Sequence, residues 1–260
     1  MPFTVQRITV YPVKSLPGVD ISTAEVAQKG HLRNDRRYAI FNSDGTFVNG
    51  KAEPRVHRLG MRFDFDSWRI ELTSLFNNDT VAFSLQHQKT EINRWLSDFF
   101  NREVELREDA HGRFLDDPDV SHVTLVSLAT LRRVIKWFGI TGEDECHARF
   151  RSNLVIDGFS AFEEDRLFSA GASPVSLRIG EVFLHGVQPR PRCVVPTRHP
   201  VTGEVTTGFQ KLFAGFRKRE LPEGSELLSF GHTYQLAVDM MIPASEVGKC
   251  FSIGDSLEIL

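Results

Sequence analysis

The chain is poor in cysteine. Its three, Cys146, Cys193 and Cys250, are odd in number, far apart and without a C-x-x-C pair. That indicates neither a disulfide framework nor a zinc ribbon, and it leaves too few thiolates for the usual four around an iron–sulfur cluster. Long apolar runs are missing too, none approaching the ~18 residues that span a bilayer. The opening MPFTVQRITVYPVKS has none of the basic, apolar and small-residue sections of a secretory signal, so a cytoplasmic, membrane-free protein is expected. A formal charge of −3 provides no global basic field for nucleic acid or anionic lipid. No G-x-G-x-x-G, H-E-x-x-H, internal repeat or low-complexity tract occurs. GTFVNGKA, residues 45–52, comes near a P-loop but lacks its final hydroxyl, and EPRV follows where a helix must start. It reads better as a hairpin strand. Cys146-His147 alone is too short for a metal site.

What is present describes a globular protein, 41% hydrophobic and 25% charged over 260 residues, long enough to bury roughly 70–75% of its extended surface. The first third is rich in short β-branched and aromatic runs, FTVQRITV, RRYAIFN, TFVNG, MRFDF, WRIEL and VAFSL, with Asp44-Gly45 suited to a tight turn. Apolar spacing predicts helices in KTEINRWLSDFFN, in SLATLRRVIKWFG, with Ser127 as N-cap and Gly139 at the end, and in TTGFQKLFAGFRK, with Phe209, Leu212, Phe213 and Phe216 on one face. NLVI, SLRIGEVFLHGV, TYQLAVDMMI and SLEIL read as strands. The acidic EDAHGRFLDDPDV, residues 108–120, is the candidate boundary or mobile loop. The expected fold is α+β and β-rich, barrel-like sheets with about three covering helices.

One constellation carries chemistry. Cys193 stands in VQPRPRCVVPTRHPVTG, behind Arg190 and Arg192; YPVKS offers Lys14 and Ser15; HLRNDRRY offers Arg33, Asp35, Arg36 and Arg37; RFRSN offers Arg149, Arg151 and Asn153. Taken singly, each arginine is a surface residue with a packed stem and Cys193 a small buried hydrophobe. Two prolines and flanking cations make a poor apolar strand, however, and cations favour a thiolate, the form that acts as nucleophile or soft-metal ligand. If the fold gathers these segments, they make a positive pocket around one sulfur.

The stretch from YPVKSLPGVD to NGKAEPR resembles the N-terminal β-barrel module that precedes a molybdenum cofactor sulfurase C-terminal (MOSC) domain. RFRSNLVIDG, LRIGEVFLHGVQPRPRCVVPTRHPVTGE and FSIGDSLEIL resemble the MOSC domain itself. Together, from about Val5 to Leu260, they are similar to the mitochondrial amidoxime reducing component family and its bacterial relatives. The resemblance implies a β-barrel-like module over 1–110 packed on a MOSC β-barrel over 111–260. It implies that Cys193 is the protein ligand to molybdenum and the catalytic position. It further implies that Lys14, Ser15, Arg36, Ser127, Arg151, Asn153, Arg192 and Thr197 contact a molybdenum–molybdopterin cofactor. Arg190 stands where relatives often carry a further cysteine, Pro196 and His199 replace a commoner threonine and aspartate, and Ser152 replaces a proline. These departures bear on substrate contacts; the metal position stays intact.

The activity implied is reduction of N-hydroxylated compounds. Its electrons would come from an external ferredoxin-like protein or flavin reductase, since an internal four-cysteine cluster is excluded. No pyridoxal phosphate domain, ferredoxin-like extension, targeting segment or membrane anchor is expected. A carrier of cofactor or of persulfide on Cys193, and a cofactor-free protein that kept the fold, remain alternatives. His147, His185 and His199 have no assigned role.

Overall fold

The computed structural model describes residues 2–110, 113–115, 123–171 and 173–260; of the acidic 108–120 stretch expected as a boundary or mobile loop, residues 111–112 and 116–120 lie outside them. Seven strands form a closed barrel: β1 Phe3–Val10, β2 Val123–Ser127, β3 Leu154–Asp157, β4 Val175–Ile179, β5 Val182–Pro191, β6 Gln235–Met241 and β7 Ser256–Ile259. Around the barrel the order is β3-β2-β6-β5-β4-β7-β1, and β1 closes it by pairing with β3, Thr4 opposite Asp157 and Ile8 opposite Leu154. Closure leaves no long free edge within the ring. The alternating inward residues Val5, Ile8, Leu125, Leu154, Ile156, Leu177 and Val238 fill the interior, joined there by Ala24, Val26 and Leu32 from early in the chain.

All neighbouring barrel strands are antiparallel except β2 and β3, parallel with Leu125 opposite Leu154. A parallel pair needs a crossover. Of the four α-helices among the described residues, α1 Lys89–Phe100, α2 Leu128–Phe138, α3 Glu143–Phe150 and α4 Phe209–Arg219, α2 and α3 supply it. α1 and α2 lie where their apolar spacing predicts, with Ser127 Oγ accepting from Thr130 N at 3.0 Å and Gly139 left-handed at φ 62°. α3 escapes a reading by apolar period because EDECHARF is mostly polar. Its start is written instead in Glu143, Asp144 and Glu145, acids that suit a helix N-terminus. α4 is present, but its buried face differs from the expectation: Leu212 is 50% exposed, while Arg217 is 2% exposed and paired with Asp165. A third core, with Leu131, Val134, Phe150, Phe209 and Phe213, binds these helices to the barrel.

Residues 38–108 build a second body around Ile40, Leu59, Ile70, Leu96 and Leu106. It has a ladder of Tyr38–Asn42 with Val104–Glu108, a meander of Leu59–Asp64, Arg69–Ser74 and Asp79–Ser84, and α1. The Asp44-Gly45 turn forms, with Gly45 at φ 81° and its N–H donating to Asn42 O at 3.0 Å. The strand expected in TFVNG does not: after one bridge, Phe41 to Phe47, Asn49 Oδ1 accepts from Lys51 N and Ala52 N and folds the chain into a turn. No described helix is long and apolar enough to cross a membrane.

Candidate functional site

A cavity of about 490 Å³ opens where the second body meets the barrel, and Cys193 lies on its wall. Its lining comes from the end of β1 and the loop after it, the Arg36 loop, the Asn49–Lys51 turn, α3 and its C-terminus, and the segment after β5. Nine arginine and lysine side chains against two aspartates line it. Since the whole chain carries −3, the positive charge has been concentrated here. Low-dielectric walls strengthen such a field.

The arrangement turns on Asp35, 1% exposed. It accepts from Tyr11 N at 3.0 Å, Asn153 Nδ2 at 3.3 Å, Arg113 Nη1 at 3.1 Å, and Arg36 Nη1. Burial pushes its carboxyl up, but Arg36, Arg113 and the Tyr11 N–H outweigh that and hold it below the ordinary carboxylate range. One buried carboxylate thereby ties the end of β1, the Arg36 loop, residue 113 and the start of β3 into one frame. Tyr11, whose hydroxyl donates to Ser152 O at 3.1 Å, lies between two guanidiniums, Arg151 at 4.2 Å and Arg36 at 5.1 Å from its ring. Burial pushes its phenol up to about 12, against the pull of those arginines.

Arg151 is the cation without an acceptor. Its guanidinium has no hydrogen bond or ion pair among the described residues, and burial lowers its pKa to about 10. Most of its neighbours are committed: Arg7 to Asp20 and Asp144 at 2.6 and 2.8 Å, Arg149 to Glu145 at 2.8 Å, Arg190 to the buried Asp239 at 3.3 Å. Lys14 Nζ donates to Phe114 O at 3.2 Å and sits 4.0 Å over the Phe47 ring. Three lining residues, Ser15, Arg36 and Arg151, hold left-handed backbone at φ 72°, 55° and 55°. For non-glycine residues that conformation costs roughly 1–2 kcal/mol each, and such strain gathers where side chains must point in a set direction.

Cys193 is exposed to the cavity, and Val195 N donates to its sulfur at 3.4 Å. Among the described residues no three His, Cys, Asp or Glu side chains come together as a metal site.

Of the residues singled out in the sequence, Lys14, Ser15, Arg36, Arg151, Arg192 and Cys193 line the cavity. Arg192 does so while donating Nε and Nη2 to Leu236 O at 2.9 and 2.5 Å and Nη1 to Phe150 O at 2.8 Å, so it clamps α3 to β6. Ser127, Asn153 and Thr197 do not line it. Ser127 is fully buried as the α2 cap, its N–H donating to Glu164 at 3.2 Å. Asn153 is spent on Thr124, Thr9 O and Asp35. Thr197 Oγ1 donates to Val194 O at 2.7 Å and closes the turn after the cysteine. Arg33 and Arg37 pair with Glu25 and Glu108 outside the cavity. His199 caps its own hairpin, Nδ1 accepting from Val201 N and Thr202 N at 3.2 Å.

Sequence reasoning missed Tyr11, His57 and Arg198, which line the cavity from separate segments. Arg198 Nε is buried without an acceptor, and burial lowers the pKa of His57. No local pattern marks them, because their role comes from a neighbour far along the chain. Asn49 to Lys51 also line it, as a turn.

Residues 2–117 match the MOSC N-terminal beta barrel domain and residues 109–239 the MOSC domain. This chain belongs to the MOSC family. This MOSC protein is 28% identical over 244 residues to mitochondrial amidoxime reducing component 2 of Bos taurus, covering 78% of this chain and 68% of that one. It is 27% identical to mitochondrial amidoxime-reducing component 1 of Homo sapiens, over 77% and 67%. A molybdenum cofactor sulfurase of Caenorhabditis elegans is 24% identical over 84% of this chain but only 32% of its own length. The crystal structure of YiiM from Geobacillus stearothermophilus aligns over 55% of each chain at 14% identity with a TM-score of 0.31, too low to bear on the fold.

The donor set suits an anionic, metal-bearing group: one accessible soft sulfur, an unpaired guanidinium held in a strained backbone, and excess positive charge.

Proposed function

We propose that this MOSC protein holds a molybdenum–molybdopterin cofactor with Cys193 as its protein ligand to the metal, and reduces small N-hydroxylated compounds with electrons from an external protein. The observation that carries the reading is Arg151: a cation in left-handed backbone, braced on Tyr11, facing the cavity of Cys193 with no acceptor of its own. Arg151 would meet a pterin phosphate as its acceptor, and Cys193 would give a dithiolene-bound metal its one soft protein ligand.

Bound there, the cofactor supplies two-electron oxygen-transfer chemistry. The chain's own residues do the rest. Cys193 anchors, with its sulfur oriented by the Val195 N–H. Arg151 and Arg36, fixed by Tyr11 and Asp35 before anything binds, stabilise negative charge without reorganising. Lys14 extends the positive wall on the side of the second body, with Ser15 next to it in the lining, and Arg198 and His57 face the remaining space. Three cysteines cannot ligate a four-cysteine cluster, so the electrons come from a ferredoxin-like protein or a flavin reductase.

The test is protein purified from cells that make molybdopterin. Metal and pterin in equal amounts, with benzamidoxime reduced by an artificial donor, are expected, and Cys193→Ala should abolish turnover. Undiminished turnover in that variant would sink the assignment. The similarity to molybdenum cofactor sulfurase keeps a carrier as the second reading. Stoichiometric cofactor without turnover, handed on to an apo-enzyme, would favour it.

A further inference from the structure

Helix α4 turns towards solvent a face that nothing in the fold uses. At 100° per residue, Lys211, Leu212, Gly215, Lys218 and Arg219 lie opposite the buried Phe209, Phe213 and Arg217. The helix holds four basic residues and no acidic one. Arg217 is neutralised inside by Asp165. Lys211, Lys218 and Arg219 are exposed, and none has a carboxylate within ion-pair distance among the described residues. In a chain of net charge −3 this is a local reversal of sign.

Helix and hairpin both expose apolar side chains, and the hairpin also exposes Glu204. Leu212 is 50% exposed, and in the 198–205 hairpin that leads into the helix Val205 is 57% and Val201 48% exposed. Hairpin and helix meet at Gly208, where an added Cβ would lie 3.8 Å from Leu212 Cδ1. Exposed apolar side chains rimmed by charge have the make-up of a protein docking surface, and unpaired cations at its edge steer an oppositely charged partner.

Its position ties it to the cavity. The same hairpin, bridged from Arg198 to Val205, lines the cavity through Arg198 and Pro200. Arg149, another lining residue, donates to Thr206 Oγ1 at 3.5 Å. The inner rings Phe209 and Phe213 lie 6.3 and 5.8 Å from the ring of Phe150, which lines the cavity. One helix thickness, about 10–12 Å, separates patch from cavity wall.

We infer that the outer face of α4 with the 198–205 hairpin is the docking surface for an acidic protein that delivers electrons to the Cys193 cavity. The partner's task rests on the reductase reading above; its charge rests on the patch alone. Nucleic acid fits less well, because the cations span only two helical turns, against the six to ten phosphate contacts of a typical binder, and the three apolar side chains would go unused.

The experiment uses the full chain and, as probe, an acidic [2Fe–2S] ferredoxin, with binding followed by calorimetry at low ionic strength and at about 0.15 M. The variant is Lys211→Glu, Lys218→Glu, Arg219→Glu, with Leu212→Ser as a second, charge-neutral variant; circular dichroism melts confirm that both fold. The wild type should bind and weaken with salt. Charge reversal should weaken binding at least about tenfold and remove most of the salt dependence, and Leu212→Ser should weaken it at both salt levels. Ferredoxin-driven benzamidoxime reduction should fall in parallel while viologen-driven turnover stays unchanged. No complex between wild type and ferredoxin, equal binding by the charge-reversed variant, or equally strong binding of wild type to duplex DNA or anionic vesicles would overturn the inference. Absence of viologen-driven turnover in every protein would count against the reductase reading instead, with the calorimetry still deciding the surface.

Discussion

At the scale of single residues, the cavity is a set of side chains whose hydrogen-bonding capacity is either fully used or conspicuously idle. His147 shows the first state: it is 4% exposed, its Nε2–H donates to Ser152 O at 2.9 Å, and burial, with Arg7 adding to it, lowers its pKa to about 4. The unfolded chain takes up that proton as the pH falls through about 6.5, and the folded protein resists until about 4. Stability from this residue is therefore complete above about pH 6.5 and drains away between there and pH 4, on the order of 3 kcal/mol in all. Between pH 7 and pH 5, urea unfolding should show wild type losing about 2 kcal/mol more stability than His147→Gln; equal losses would contradict the assignment. Cys193 and the arginines around it were legible in the sequence, because a lone cysteine among prolines and cations is chemically odd. Ser127, Asn153 and Thr197 were not separable from them. A hydroxyl or amide that caps a helix or turn has the same composition as one that meets a phosphate, and only its direction tells the two apart.

At the scale of elements, α2 and α4 show how a helix end or face is fixed. Ser127 is a cap, so Ser127→Ala should cost about 1 kcal/mol of stability; unchanged cofactor content is the expected result for a cap alone, and lost cofactor in a stable variant would show that Ser127 serves binding too. α4 is pinned by Arg217, 2% exposed and 2.5 Å from Asp165, with its guanidinium 4.1 Å over Phe162. Removing one partner leaves the other buried and unpaired, so Asp165→Ala should destabilise by roughly 3–5 kcal/mol, and the double variant with Arg217→Met by less. Chemical denaturation reads both, and an Asp165→Ala loss below the double variant's would contradict the account. Apolar period found α4 but misjudged its face, because an ion pair took an inner position that the pattern reserves for carbon. α3 escaped that method altogether: its eight residues bury Cys146, His147, Arg149 and Phe150, of which the chemistry, not the hydrophobicity, is the common thread.

At the scale of the whole molecule, β1 belongs to the barrel although nearly the whole second body separates it from its partners in sequence. It pairs with β3 on one side and β7 on the other, and sends Val5, Ile8 and Val10 into the core. Long-range pairing of this kind carries no local signal, so strands were readable in the sequence and the ring they close was not. Residues 111–260 alone should lack a cooperative unfolding transition, since six strands leave β3 and β7 without their shared neighbour; a sharp melt of that fragment would contradict this. The cavity is likewise a property of the assembled chain, lined by Lys14 and Arg36 from one region and Arg151 and Cys193 from another, with Arg36 and Arg151 held against Asp35 and Tyr11. The most direct test of its purpose is X-ray absorption at the molybdenum edge, counting sulfur ligands in cofactor-loaded wild type and Cys193→Ala. One sulfur fewer in the variant is the predicted result; an unchanged sulfur count at full metal occupancy would contradict the account.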